Sequence, residues 1–194
     1  MNKPFRIITG IDICLKPMSH TWKTSLGSSM MAALALYILI AVLLATNAQA
    51  DIYRGMRIND ADQPQVANTA LGLGVRDADV VLQDDIVLPN NPDTDAPQGT
   101  SVVTANPCEL PGFTRPAGNN WNGTGSATVR VWVMDEVAHL PGTAQVQAAA
   151  IEDSPNHAVI STAGVGQTLA NFRVIVGSTQ AHWAVVPPPD EACP

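Results

Sequence analysis

Four short clusters in this 194-residue sequence carry side chains that can bind charge or move a proton. Tyr53-Arg54-Gly55 sets a guanidinium inside an alternating stretch. Gly99-Thr100-Ser101-Val102 puts two hydroxyls behind a glycine. Val131-Trp132-Val133 is followed by Leu140-Pro141. Asp153 precedes Asn156-His157-Ala158-Val159-Ile160, with Phe172 beyond it. Arginine is a fixed fork of donors, serine and threonine both donate and accept, and imidazole changes charge near neutral pH. Taken singly, each cluster also has a plainer reading. Arg54 reads as a surface charge on a strand, Thr100 and Ser101 as ordinary strand-start residues, and His157 as a structural histidine. No nucleophile elbow, phosphate loop, zinc-ligand spacing or dinucleotide fingerprint occurs. Beyond residue 50 the histidines are His139, His157 and His182, too scattered along the chain to propose a metal site.

Strands must hold these groups. Residues 52–58 alternate and start the domain, 99–104 form a short strand, and 128–134 carry Val129, Val131 and Val133 on one face. Residues 157–161 read as another short strand. Residues 78–88 read as one strand or two pieces. The stretch 65–75 is rich in Ala and Leu and fits a short helix, which Gly72 and Gly74 weaken. Residues 145–151 fit either helix or strand. Both 169–176 and 181–186 alternate, and Gly177-Ser178-Thr179 between them suggests a hairpin. Residues 89–98 are a polar, proline-rich loop, and 105–126 are a long irregular stretch, a length usual in functional or mobile loops. The Pro187-Pro188-Pro189 tail cannot pair in a central strand, so 187–194 is set apart as a tail. The sum is an α+β, β-rich single domain, or an all-β domain with one helix.

Residues 1–50 have the order of parts of a cleavable secretory signal. Lys3, Arg6, Lys16 and Lys23 come first, then a 17-residue apolar run over 30–46, then Ala48-Gln49-Ala50 before Asp51. Met18 as the start would give a leader of ordinary length. The alternative is an uncleaved membrane anchor. Cleavage would leave 51–194, a periplasmic or secreted protein with no stable membrane association. That part holds six arginines and no lysine against sixteen carboxylates, a net charge of −10. Such a surface repels phosphate backbones, which argues against nucleic acid as a partner. Cys14 lies in the leader. Cys108 and Cys193 remain, an even pair in a chain bound for an oxidising compartment. A bridge between them would tie the tail to the middle of the domain and contribute roughly 4 kcal/mol in the chain-entropy model. Two free thiols are the alternative.

In order, the Y-R, G-T-S-V, V-W, L-P, D and H-x-x-I segments resemble the ADP-ribosyltransferase-like bacterial toxin domains. The likeness is to the small Tse-two-like effectors of the type VI secretion system, over roughly residues 52–175. The resemblance implies a fold of mixed sheets and NAD as substrate, with no metal. It implies that Arg54 contacts the dinucleotide, that Thr100 and Ser101 shape the nicotinamide pocket, and that His157 orients the substrate or moves a proton. A third motif usually brings a glutamate, for which Glu136 and Glu152 are the candidates. The chemistry implied is cleavage of the nicotinamide–ribose bond through an oxocarbenium-like centre. The protein modified, or the ligand bound, is not specified by these residues. The resemblance fits such a toxin or a degenerate relative that keeps the fold; the competing reading is a non-catalytic periplasmic or extracellular β-rich binding module. The first reading requires Arg54, Ser101 and His157 to converge on one cleft. The second has them scatter, with an exposed apolar patch, Trp121 included, as the better site.

Overall fold

Seven residues at the start of the domain, Asp51–Arg57, form strand β1. Their alternation puts Ile52, Arg54 and Met56 on one face and Tyr53 and Gly55 on the other. The structure is a computed structural model and describes residues 51–135 and 139–194. The expected signal, with Met18, the apolar run, Ala48-Gln49-Ala50 and Cys14, lies outside the described residues, as does Glu136.

The remaining strands are β2 (Leu82–Gln83), β3 (Ile86–Val87), β4 (Thr100–Thr104), β5 (Val129–Asp135), β6 (Gln145–Ala148), β7 (His157–Ser161), β8 (Gln167–Thr168) and β9 (Ala184–Val185). They build a six-stranded sheet in the order β6-β7-β4-β1-β5-β9 and a three-stranded sheet in the order β2-β3-β8. With one ten-residue α-helix among the described residues, α1 (Leu169–Ser178), the domain is α+β and β-rich. Every pair of named strands is antiparallel, where the resemblance implied mixed sheets. A parallel pair needs a long crossover, usually helical, and α1 joins no two parallel strands. Asp84 and Asp85 both take positive φ, 51° and 63°, the turn that closes a two-residue hairpin between β2 and β3.

The larger sheet is covered on both faces. On one, Ile52, Met56, Val102, Trp132, Met134 and Ile160 join a core with Phe172 and Val176 of α1. On the other, Val103 and Val131 pack with Leu110, Trp121 and Cys193. That second layer is the irregular stretch 105–126 and the tail, stapled by the Cys108–Cys193 disulfide. Trp121 is 3% exposed, so it plugs this smaller core instead of forming an exposed patch.

Three expectations fail locally. The 169–176 stretch is helix, not strand. Thr168 caps it by accepting from the Asn171 N–H at 3.2 Å, and Leu169, Phe172 and Val176 recur at helical spacing into the core. Those contacts outweigh the strand preference of its β-branched run. With the helix in place, 177–179 ends it instead of turning a hairpin, and only Ala184–Val185 of the 181–186 stretch is strand. Residues 65–75 are not helical. A Cβ at Gly72 would lie 2.3 Å from the Ala67 carbonyl oxygen, a close approach that only glycine permits. The ambiguous 145–151 segment resolves to strand β6, and the 187–194 tail forms no strand.

Candidate functional site

The ladder between β1 and β4 is short. β1 pairs with β5 at seven positions but with β4 only at Ile52↔Thr104 and Tyr53↔Val103. The next residue on β1 is Arg54, 6% exposed. Its guanidinium donates from Nη1 to the Ser101 carbonyl of β4, the strand to which β1 has stopped pairing. Nε and Nη2 donate to the Gly72 carbonyl at 3.3 and 3.1 Å, and Nη2 reaches the Ala70 carbonyl at 3.4 Å. The Ala70 carbonyl is free because 65–75 is not a helix, which would spend it on its own ladder. Burial pushes the guanidinium down to about 10, opposed by the charge of Asp79 and assisted by that of Arg76. It stays charged at neutral pH. Of its five N–H groups, one on Nη1 is left for a ligand.

Ser101 and His157 stand on neighbouring strands and on the same face. Ser101 lies opposite Val159, and His157 lies opposite Val103. The two are therefore diagonal neighbours, roughly 7–8 Å apart by sheet geometry. The Ser101 side chain is exposed, and its hydroxyl has no partner among the described residues. His157 is half-buried, and its Nδ1 lies 2.7 Å from the Ala149 carbonyl oxygen. A carbonyl only accepts, so Nδ1 carries a proton, and in the neutral ring Nε2 is the nitrogen with a lone pair for a ligand.

Arg54, Ser101 and His157 line one cleft of about 140 Å³. Val103 adds apolar surface from the sheet. The irregular segment contributes Leu110, Pro111 and Phe113, and Ile151 completes the apolar lining. Phe113 and Ile151 are 50% and 56% exposed, so the cleft has apolar residues open to solvent. A Cβ on Gly55 would fall 1.8 Å from the Thr114 carbonyl oxygen, so glycine lets the segment lie directly on β1. Glu109 holds the segment to the turn before β7. It accepts from the Asn156 Nδ2 at 2.6 Å, the Asn156 N–H at 3.1 Å and the Ser154 hydroxyl at 3.4 Å. Asn156 immediately precedes His157, so Glu109 holds the backbone just ahead of the histidine.

Thr100 does not join the cleft. Its side chain is fully buried and donates to the Gly74 carbonyl at 2.7 Å. Period-two alternation puts it on the face opposite Ser101, among the contacts of the main core. Glu152 is exposed beside the cleft residue Ile151. Arg76 and Asp79 line the cleft and were not singled out from the sequence. They form an ion pair at i and i+3, with the Arg76 Nε 2.9 Å from the Asp79 Oδ1, and that hydrogen bond raises Arg76 above its ordinary range. An opposite-charge pair at that spacing was the available signal. Glu109, Leu110 and Phe113 gave none, because nothing local marks which residues of an irregular segment will face a sheet.

Elsewhere, the rings of His139 and His182 stack at 4.1 Å, far in sequence and without His157. Among the described residues no cluster of three or more His, Cys, Asp or Glu could hold a metal ion, and no helix is long and apolar enough to cross a membrane. A second cleft of about 480 Å³ lies beside Trp121, Val185, Pro187 and Pro188. Its one charged residue, Arg130, donates from Nη1 to the Ala127 and Val129 carbonyls. It is larger but holds no serine–histidine pair. Comparison with protein-family models, curated proteins and solved structures found no match.

Proposed function

We propose that this chain is an exported ADP-ribosyltransferase-like toxin that breaks the glycosidic bond of NAD, with the nicotinamide end held in the Arg54–Ser101–His157 cleft. The observation that carries the reading is the convergence of these three residues, which come from three strands distant in sequence. Size is consistent with it. A cavity of about 150 Å³ holds one benzene-sized ring, so a 140 Å³ cleft takes the nicotinamide ring and leaves the rest of the dinucleotide outside. The Ser101 hydroxyl is free to bond the carboxamide. Arg54 serves mainly as a brace, keeping β1 and β4 at the spacing the ring needs. The C1′–N bond breaks with its electron pair leaving on nicotinamide, and an acceptor oxygen bonds to C1′ and gives up its proton, for which the His157 Nε2 lone pair is available. Export is supported by the order of the leader's parts and by the disulfide, which belongs to an oxidising compartment.

The test is release of nicotinamide from NAD by the purified, oxidised protein, beside Ser101→Ala and His157→Ala. Each variant is expected to lose at least roughly a hundredfold in turnover, the ordinary scale of acid–base and positioning groups, while its circular dichroism is unchanged. Arg54→Ala is the wrong probe, because it strips the Ala70, Gly72 and Ser101 carbonyls of their donor. A wild-type protein that neither binds nor cleaves NAD sinks the reading. The larger Trp121–Pro187 cleft, whose one charged residue is Arg130, favours the second reading, a non-catalytic exported binding module, and becomes the surface to probe in that event.

A further inference from the structure

The cleft wall and the tail form one mechanical unit. Cys193 is 2% exposed and packs in the small core with Val103 and Leu110, and both of those residues also line the cleft. The tail's hydrogen bonds run to the same segment that supplies the wall. The Cys193 N–H donates to the Asn120 carbonyl at 2.7 Å. The Asn120 Nδ2 donates to the Pro189 and Asp190 carbonyls at 2.8 and 3.0 Å. The Arg115 Nη2 donates to the main-chain oxygen of Pro194 at 2.8 Å. Cys108 itself is one residue from Glu109, which clamps the wall to the turn before His157, and two from Leu110.

We propose that the Cys108–Cys193 bridge is a redox latch on the cleft: closed, it holds the wall in the shape that binds a ligand, and opened, it lets the wall and tail loosen. A dithiol reductant supplies two electrons and two protons. The S–S bond breaks, both sulfurs become thiols, and the reductant closes its own disulfide. The segment 105–126 has two single-turn 3₁₀ helices and an isolated bridge, Pro116↔Gly125, but no strand or α-helix of its own. Without the bridge only the tail's few hydrogen bonds and its packing hold Cys193 in the core. Leu110 then loses a packing partner, and binding must bear the cost of ordering the wall. The sheet is a separate matter, since β1 keeps its full ladder with β5 and the helical core on its other face. The consequence for turnover rests on the NAD reading above: a chain still in the reducing compartment where it is made would have a disabled site, and the site would form after export. The latch itself does not depend on that reading.

The experiment compares oxidised protein, the same protein reduced with dithiothreitol, and Cys193→Ser. Three quantities are read: amide hydrogen exchange, carbethoxylation of His157 by diethyl pyrocarbonate resolved by peptide mass, and nicotinamide release from NAD. With the bridge open, amides from Glu109 to Trp121 should exchange at least tenfold faster and His157 should react at least tenfold faster. The amides of β1 and β5 should keep their protection, and NAD turnover should fall at least tenfold. If reduction leaves wall exchange and His157 reactivity unchanged, the latch is wrong whatever the ligand. If β1 and β5 lose protection to the same degree, the bridge is a staple for the whole domain and the latch is again wrong. If the wall and His157 respond while the oxidised protein never cleaves NAD, the latch stands and the NAD reading falls.

Discussion

The two faces of the six-stranded sheet are held together by different physics. One carries a helix, a small sheet and a broad core centred on Phe172, Ile52, Met56 and Trp132, all buried. The other carries an irregular segment, a proline-rich tail and a core of five buried residues, one of them a disulfide cysteine. Burial of apolar area stabilises the first face, at roughly 25 cal/mol per Å². The second is too small for that alone and adds a covalent bridge, the Glu109 clamp and the close seat on Gly55. The cleft draws residues from both faces: Arg54 comes from the apolar side, and Ser101 and His157 from the stapled side. A rigid brace thus meets an adjustable wall, a combination suited to positioning a ligand on one side and controlling access on the other.

The contrast can be broken from the apolar side first. Phe172→Ala removes a fully buried ring from the main core and is expected to cost about 3–5 kcal/mol, read as a lower denaturation midpoint with one cooperative transition. If the wall amides alone lose protection in that variant, the faces are not divided as described. A smaller perturbation on the stapled side is Glu109→Gln, which weakens the bonds to Asn156 and Ser154. It is expected to cost about 1 kcal/mol in stability and to change His157 reactivity more than global unfolding. Equal exchange rates around His157 in variant and wild type would show that Glu109 does not position it.

The smallest effect is a pH dependence at Tyr53, which packs against the second core. Burial, then the charge of Asp51 and a hydrogen bond to it, hold the phenol above its ordinary value of 10.0. The folded state therefore holds that proton more tightly than the unfolded chain does. The stability this contributes is complete below the ordinary phenol range and is lost as pH rises through the folded pKa. Tyr53→Phe should flatten that alkaline part of the stability curve relative to wild type. Identical alkaline slopes would remove Tyr53 from the account of the second face.

Much of the sheet was legible because strand alternation is local. The stretches around Arg54, Val102, Trp132 and Ala158 read as strands and are strands, and the adjacent aspartates 84 and 85 sit where a two-residue turn is needed. The helix at Leu169–Ser178 was misread because its Val174-Ile175-Val176 run favours strand locally. Its preference was decided by the Thr168 cap and by the seat of Phe172 in a core built from distant strands. The 65–75 segment was misread in the other direction, since its Ala and Leu content says nothing of the buried guanidinium that claims its carbonyls.

By itself the sequence determined the residue types able to do chemistry and the two cysteines available for a bridge. The resemblance put Thr100 and Ser101 in one pocket, although period two sends neighbours in a strand to opposite faces. Only the tertiary structure decided that Ser101 faces the cleft and Thr100 the core, that Arg54 spends nearly all its donors on main-chain oxygens, and that Cys108 is joined to Cys193. These outcomes depend on which segments, dozens of residues away, come to lie against each side chain, and no local pattern encodes that choice.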